Sequence, residues 1–368
     1  MGIQTVSQAL SNENGGFSPF GFKNRIINGA MVIDQRNAGA SITPTNGVYM
    51  LDRWTINVSQ TAKLTQQQNA GAVTPPAGFS KYMGFTSSSA YSLLTTDYFV
   101  FNQYIEGLNV ADLALGTASA ATVSLSFWVR SSLTGAFGGS LRNGTGTRSY
   151  PFSYTINTAN TWEQKTITVA GDTSGTWTTD TSIGLILTLS LGAGSTFNGT
   201  VNAWSTGNYL QSSGATSVVS TSGATFYITG VQLEKAPQAT AFDYRDHGNE
   251  LRMCQRYCMA WRIDGVSQQY LAVGQAYNTT TAIFMLPLPV TPRVTPTGIT
   301  TSAAAGFGSL TSGAGGSTGS TLVYNASSIQ ALAMNYTATA GFTTAGFATA
   351  LYFNGTAGAN IITTGSEL

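Results

Sequence analysis

The chain has 368 residues, a single histidine, 8% charged residues and a formal net charge of +1. That balance excludes a whole-chain electrostatic case for nucleic acid or an anionic membrane surface, and one imidazole leaves little for histidine-based acid–base work, zinc ligation or pH switching. Hydrophobic residues at 42% are enough to build cores, and no apolar run approaches the roughly 18 residues of a membrane-spanning helix.

In chain order, Met1 to Gly16 is polar and lacks the apolar centre of a secretory signal, so the chain is expected to be made in a cytoplasm without signal-directed export. Residues 1–22 read as a Gly/Ser/Asn-rich arm with too little apolar surface to fold alone, ending in Phe17-Ser18-Pro19-Phe20-Gly21-Phe22. Residues 23–245 read as an all-β unit. Val123 to Val129 alternates apolar and polar, as does Thr166 to Val169. Ile183 to Leu191 and Thr225 to Leu233 continue the pattern, with turn chemistry at Arg142-Asn143-Gly144-Thr145 and Ala170-Gly171-Asp172. Many short strands without an amphipathic helix predict a two-sheet jelly-roll β-sandwich.

Residues 246–262 form a connecting segment, with one short helix predicted from about Asn249 to Arg262. Leu251, Cys254, Cys258 and Trp261 recur at helical spacing, and Asp246 or Asn249 suits the N-cap. Cys254 and Cys258, four apart on one helix, are poorly placed for a disulfide and read as free core thiols. Residues 263–368 resume strand-like runs and predict a C-terminal β-sandwich-like domain. Its runs are Gln269 to Val273, Thr280 to Leu286, Ser328 to Tyr336 and Ala348 to Phe353, with a glycine-rich loop at Gly306 to Gly319. From Val294 to Ser366 no residue is charged. A lone β-domain normally uses charge to keep its edges from pairing, so the sequence predicts a surface covered by copies of itself.

The run from Phe22 to Asn37 (Phe-Lys-Asn-Arg-Ile-Ile-Asn-Gly-Ala-Met-Val-Ile-Asp-Gln-Arg-Asn) resembles the start of a domain found in tailed-bacteriophage tail-fibre and minor virion proteins. Similar signatures follow at Tyr49 to Trp54, Phe127 to Gly135, Ser149 to Tyr154, Asn160 to Lys165, Gly171 to Trp177, Phe226 to Glu234 and Cys254 to Tyr257, so the resemblance spans about residues 22 to 262. It implies a carbohydrate-binding-module-like jelly roll within a virion structural protein, assembled as a homotrimer. Residues 1–22 would then be an arm docking on other virion proteins, and host-surface glycan a further partner. No catalytic set, cofactor or membrane insertion travels with the resemblance. A head-surface fibre or decoration protein is the nearest alternative, and a capsule depolymerase the alternative of a different class.

Sugar recognition needs an aromatic face against the pyranose ring, with hydrogen-bonding groups around it. Trp162, Trp177, Trp204 and Tyr209 are the candidates outside the clearest strand runs, against the plainer reading that each tryptophan plugs an end of the sandwich. Trp54 and Trp128 read as core. Glycoside hydrolysis would need two carboxylates about 5–9.5 Å apart, whereas the 15 acidic residues are scattered, so the chain reads as a non-enzyme. Asp172 and Asp180 are the nominees for a calcium ion, without a dense acidic loop behind them. Arg252 and Arg256 on the helix, with Trp261, are expected to make subunit or domain contacts, since Asp243, Asp246, Glu250 and Asp264 cancel any basic stripe there.

Overall fold

The computed structural model describes residues 22–263, 268–302, 306–311, 314–339, 342, 345–356 and 358–368, so all but the last residue of the expected arm lies outside the described residues. The chain divides into two compact units, residues 1–246 with Leu368, and residues 247–367. The first contains, in chain order, β1 (Val48–Tyr49), β2 (Trp54–Val58), β3 (Leu64–Gln68), β4 (Met83–Ser87), β5 (Tyr98–Glu106), β6 (Val123–Ser131) and β7 (Gly135–Asn143). There follow β8 (Arg148–Ile156), β9 (Glu163–Val169), β10 (Ile183–Ala193), β11 (Asn198–Gly199), β12 (Ser205–Thr206), β13 (Gln211–Ser212) and β14 (Thr225–Glu234).

These strands make the expected jelly-roll sandwich, with a seven-stranded sheet in the order β1-β2-β5-β10-β7-β8-β12 and a five-stranded sheet in the order β3-β4-β14-β6-β9. Period-two alternation explains how they close on each other. Leu185, Leu187, Leu189 and Leu191 of β10 enter the core from one sheet, and Leu125, Phe127 and Val129 of β6 enter it from the other. Aromatic rings join the two layers. Phe101 of β5 lies 4.9 Å from Phe85 and 5.9 Å from Phe226, both on the opposite sheet. Each such side chain contributes roughly 1.5–3 kcal/mol of burial. Trp54 is core, as its alternation predicts, but Trp128 is not. It is one residue out of phase with Phe127 and Val129, so it stands half-buried on the outer face of the five-stranded sheet.

The polar run that opens the described chain is a clip between the sheets. Asn24 donates Nδ2 to Val231 O, and its Oδ1 accepts the Ile26 and Leu233 amides. Gln103 of β5 exchanges hydrogen bonds with the Ile27 backbone. Asn28 bridges Ile33 and the Asp52 carbonyl, while Trp54 donates its indole N–H to Asn28 O. Gly29 is required here: a Cβ would come within 2.1 Å of Val231 O.

The second unit begins with α1 (His247–Gln255), which is shorter than its periodicity predicts. The Tyr257 and Cys258 amides turn back onto the Cys254 carbonyl, and Met259 then exchanges hydrogen bonds with Thr363. Backbone pairing therefore captures the chain before the fourth position of the apolar stripe. Trp261 lies in a strand and not a helix, β15 (Ala260–Arg262). Cys254 and Cys258 are buried thiols that are not joined in a disulfide. The remaining strands are β16 (Gln269–Ala276), β17 (Thr281–Pro287), β18 (Gly298–Thr301), β19 (Phe307–Thr311), β20 (Ala314–Ser327), β21 (Ala331–Ala338), β22 (Ala348–Phe353) and β23 (Asn360–Thr364). β15, β23 and β18 form a three-stranded sheet, while β16-β17-β21-β20-β19-β22 close into a barrel.

The C-terminal unit is thus β-structure as expected, with its ring closed by β22, which pairs with both β16 and β19. The stretch read as a glycine-rich loop at Gly306 to Gly319 is largely a pair of strands. Gly308 and Gly319 make room within them for the Tyr352 and Tyr336 rings, which a Cβ would approach to 2.4 and 2.2 Å.

Candidate functional site

The alternation that sends the β10 leucines inward sends Ile186, Thr188 and Ser190 to the outer face of the seven-stranded sheet. The register places Asn102 of β5 and Ser140 of β7 on either side of Thr188. One row away, Tyr104 and Arg142 flank Ile186. This sheet face is polar, yet Asn102, Thr188, Ser140 and Arg142 are all buried.

A continuous hydrogen-bond network crosses it. Arg142 donates Nη2 and Nε to Thr188 Oγ1 at 2.9 and 3.3 Å, and Nη1 to Asn208 Oδ1 at 2.6 Å. Thr188 donates to Asn102 Oδ1 at 2.7 Å, and Asn102 Nδ2 donates to Asn57 Oδ1, also at 2.7 Å. The Tyr104 hydroxyl donates to the same Asn57 oxygen at 3.1 Å. None of the acceptors around Arg142 is a carboxylate. Burial pushes its guanidinium down to about 10, opposed by the neighbouring Tyr104 phenol, whose own ionisation burial shifts upward. A desolvated charge held by neutral oxygens is costly, and the network offsets this by giving each of the three guanidinium nitrogens an acceptor.

The segment from β11 to β13 lies over part of this face. Ser190 donates to Gln211 Oε1 at 2.6 Å, and Gln211 Nε2 reaches Ala193 O and Asn198 Oδ1. Gly138 of β7 admits it: a Cβ there would stand 2.8 Å from Gln211 Cβ. Tyr209 follows Asn208 directly. Its half-exposed ring lies against Gly199 and Gly207, and its amide donates to Ser149 Oγ. Tyr209 therefore borders the Arg142 network on the same loop.

The other sequence candidates stand elsewhere. Trp177 and Trp204 come together at 5.4 Å, edge to face, and Tyr150 lies 5.3 Å from Trp204. Both indoles donate to loop carbonyls, Ser174 O and Ala170 O, and both pack on the sandwich core. Beside this group Arg148 grips Asp172 with two bonds of 2.7 Å. Asp180 accepts the Ser182 amide, and no three His, Cys, Asp or Glu side chains converge among the described residues. Trp162 belongs to a third place, donating to Thr74 O and meeting Tyr82 edge-on at 5.6 Å. Arg252 is exposed on α1, Arg256 follows the helix with its carbonyl accepting the Arg293 amide, and Trp261 packs against the barrel core. Asn57, Asn102, Tyr104, Arg142 and Thr188 escaped sequence reasoning. The available signal was polarity at every second position of otherwise apolar strands.

No family model and no curated protein matches the chain. Among solved structures it is similar to the enzymatically active domain of tailspike protein 4 from bacteriophage CBA120, at 12% identity and a TM-score of 0.33, covering 58% of this chain and 21% of that one. It is also similar to the family 11 carbohydrate-binding module of Clostridium thermocellum, at 14% identity and a TM-score of 0.28, with 55% of this chain and all of that one covered. A third is the TmCBM61 module solved with β-1,4-galactotriose, at 11% identity and a TM-score of 0.29, covering 58% and 99%. This chain thus spans about a fifth of the tailspike domain's length.

Next to Trp162, Glu163 sets an acid limit on the five-stranded sheet. Burial alone would raise its carboxyl, but hydrogen bonds from Lys165, Thr158 and Asn157 hold it at about 2, against an ordinary 4.5. A depressed carboxylate adds stability above its unfolded value that disappears as pH falls through the folded one. Glu163→Gln should therefore flatten the loss of stability between pH 4.5 and about 2 in urea unfolding, while the parent protein weakens steadily over that window.

Proposed function

We propose that this chain is an adhesive structural protein of a bacteriophage virion, a tail fibre or fibre-like protein assembled as a homotrimer. It binds host-surface glycan on the outer face of the seven-stranded sheet. The observation that carries the glycan reading is a sheet face of amides, hydroxyls and one guanidinium bordered by the half-exposed Tyr209 ring. Sugars are recognised by such fixed hydrogen-bonding groups beside an aromatic surface. The protein is not an enzyme on this reading: the network holds no carboxylate pair of the kind glycoside hydrolysis uses. The virion setting rests on the ordered signatures between residues 22 and 262.

Self-association is supported by the barrel. Its strands carry no Asp, Glu, Lys or Arg. Cross-strand partners Leu310, Ala350, Val273 and Met285 form an apolar row over four strands of the exterior. Val273 is 72% exposed, Met285 51% and Leu310 41%. Contiguous exposed apolar surface of this kind marks contact sites. A second copy is the partner that matches its lack of charge.

Two experiments test this. In a glycan array followed by calorimetry, Tyr209→Ala should weaken the parent's best ligand at least tenfold with an unchanged unfolding midpoint; unaltered affinity sinks the assignment of this face. Protein that thins a solution of the bound polysaccharide contradicts the non-enzymatic reading. By light scattering, the parent should have three times the mass of one chain, and Val273→Asp with Met285→Asp should reduce it to single chains. Variants that stay trimeric rule out this row as the interface.

A further inference from the structure

Arg142 is placed in a way that a purely structural arginine on a sheet surface does not require. It sits on the outer face of the sandwich, buried, with its guanidinium on Thr188, Asn102 and Asn208, all neutral acceptors. Its positive charge is thus solvated by weak dipoles where a carboxylate would form a charge-assisted, bidentate pair. Two details distinguish the acceptors around the guanidinium. Of the three acceptors, Thr188 and Asn102 belong to the sheet and are held by each other, whereas Asn208 is an exposed loop residue. The backbone on both sides of Asn208 is pinned: the Gly207 amide donates to Thr147 O, and the Gly207 carbonyl and Tyr209 amide both bond Ser149 Oγ. The Asn208 side chain can therefore turn away from Nη1 without unfolding its loop. In addition, Ser140, directly across from Thr188, keeps a fully buried hydroxyl without a protein partner among the described residues. Buried hydroxyls are rarely left so.

We infer that Arg142 anchors a subsite for the carboxylate of an acidic sugar, a uronate or nonulosonate unit of the glycan, which replaces the Asn208 amide oxygen on the guanidinium. The inference rests on the glycan-binding reading of the same face and narrows it to one chemical class. Tyr209, next in the chain, then borders the ring whose carboxylate Arg142 holds. Neutral acceptors and a polar hydroxyl complete the surroundings, so a neutral glycan leaves the charge as it stands, while an acidic one neutralises it in a water-poor setting where the pairing is strongest.

The test uses the full chain and four acidic polymers (polygalacturonate, alginate, hyaluronan and polysialic acid). Each is compared with its carboxyl-esterified form, and neutral mixed-linkage glucan and galactan run alongside. The expected result is that at least one acidic polymer binds ten or more times tighter than its ester. Arg142→Gln should remove that preference. Because Arg142→Gln disturbs a buried network, Asn208→Asp is the second variant: it places a carboxylate on the guanidinium from within. It should reduce affinity for the acid to that for the ester while raising the unfolding midpoint. Equal binding of acid and ester, a preference that survives in Asn208→Asp, or binding of the neutral glucan or galactan without any of the acids overturns the subsite and leaves glycan binding standing. Failure of every polymer to bind overturns both.

Discussion

Strict two-residue alternation in the central strands of the seven-stranded sheet is the constraint from which the rest follows. β10 shows it most clearly, with four leucines entering the core on one side and Thr188 and Ser190 standing on the other. A slip of one residue would carry the leucines to the outer face and the hydroxyls into the aromatic core. The core thus fixes the register, and the register fixes which polar groups share the outer face. Asn102, Thr188 and Ser140 are neighbours because Phe101, Leu189 and Leu141 are inside. The network around Arg142 is a consequence of packing on the far side of the same strands.

Closure solves a different problem in the second unit. An uncharged β-domain with open edges would template pairing with other chains, and charge is one protection against it. The barrel removes the edges by joining β16 through β22 to β19, so its lack of charge is not a hazard at the strand edges. The exposed apolar side chains include the exterior row through Val273 and Met285, a matter of side-chain contact and not of backbone pairing.

Much of this was readable from residues alone. The β-strands at Val123, Thr166, Ile183 and Thr225 emerge from alternation because each sends apolar side chains into the core at every second position over most of its length. Trp261 was misread because its spacing from Cys254 and Cys258 fits a helix, and only the distant partners Ile361 and Thr363 draw it into a strand. Trp128 was misread for want of phase: an aromatic in an alternating run is core only if it shares parity with Phe127 and Val129, and it does not. The tryptophans attracted attention as sugar platforms. Trp162, Trp177 and Trp204 donate their indole N–H groups to backbone carbonyls, a contact no spacing reveals. Arg142 was invisible for the opposite reason. An arginine before Asn143-Gly144 reads as the start of a turn, and one of its acceptors is Asn208, a residue 66 positions away.

On the proposed reading, ligand meets the chain on the polar face of the seven-stranded sheet. Hydrogen–deuterium exchange mass spectrometry of the full chain, with and without its best glycan ligand, reads that face directly. Slowed exchange is expected in peptides covering β5, β7, β10 and residues 205–212, with the five-stranded sheet unchanged. Protection concentrated instead around Trp162 and β9, or at the Trp177 loop, would contradict it.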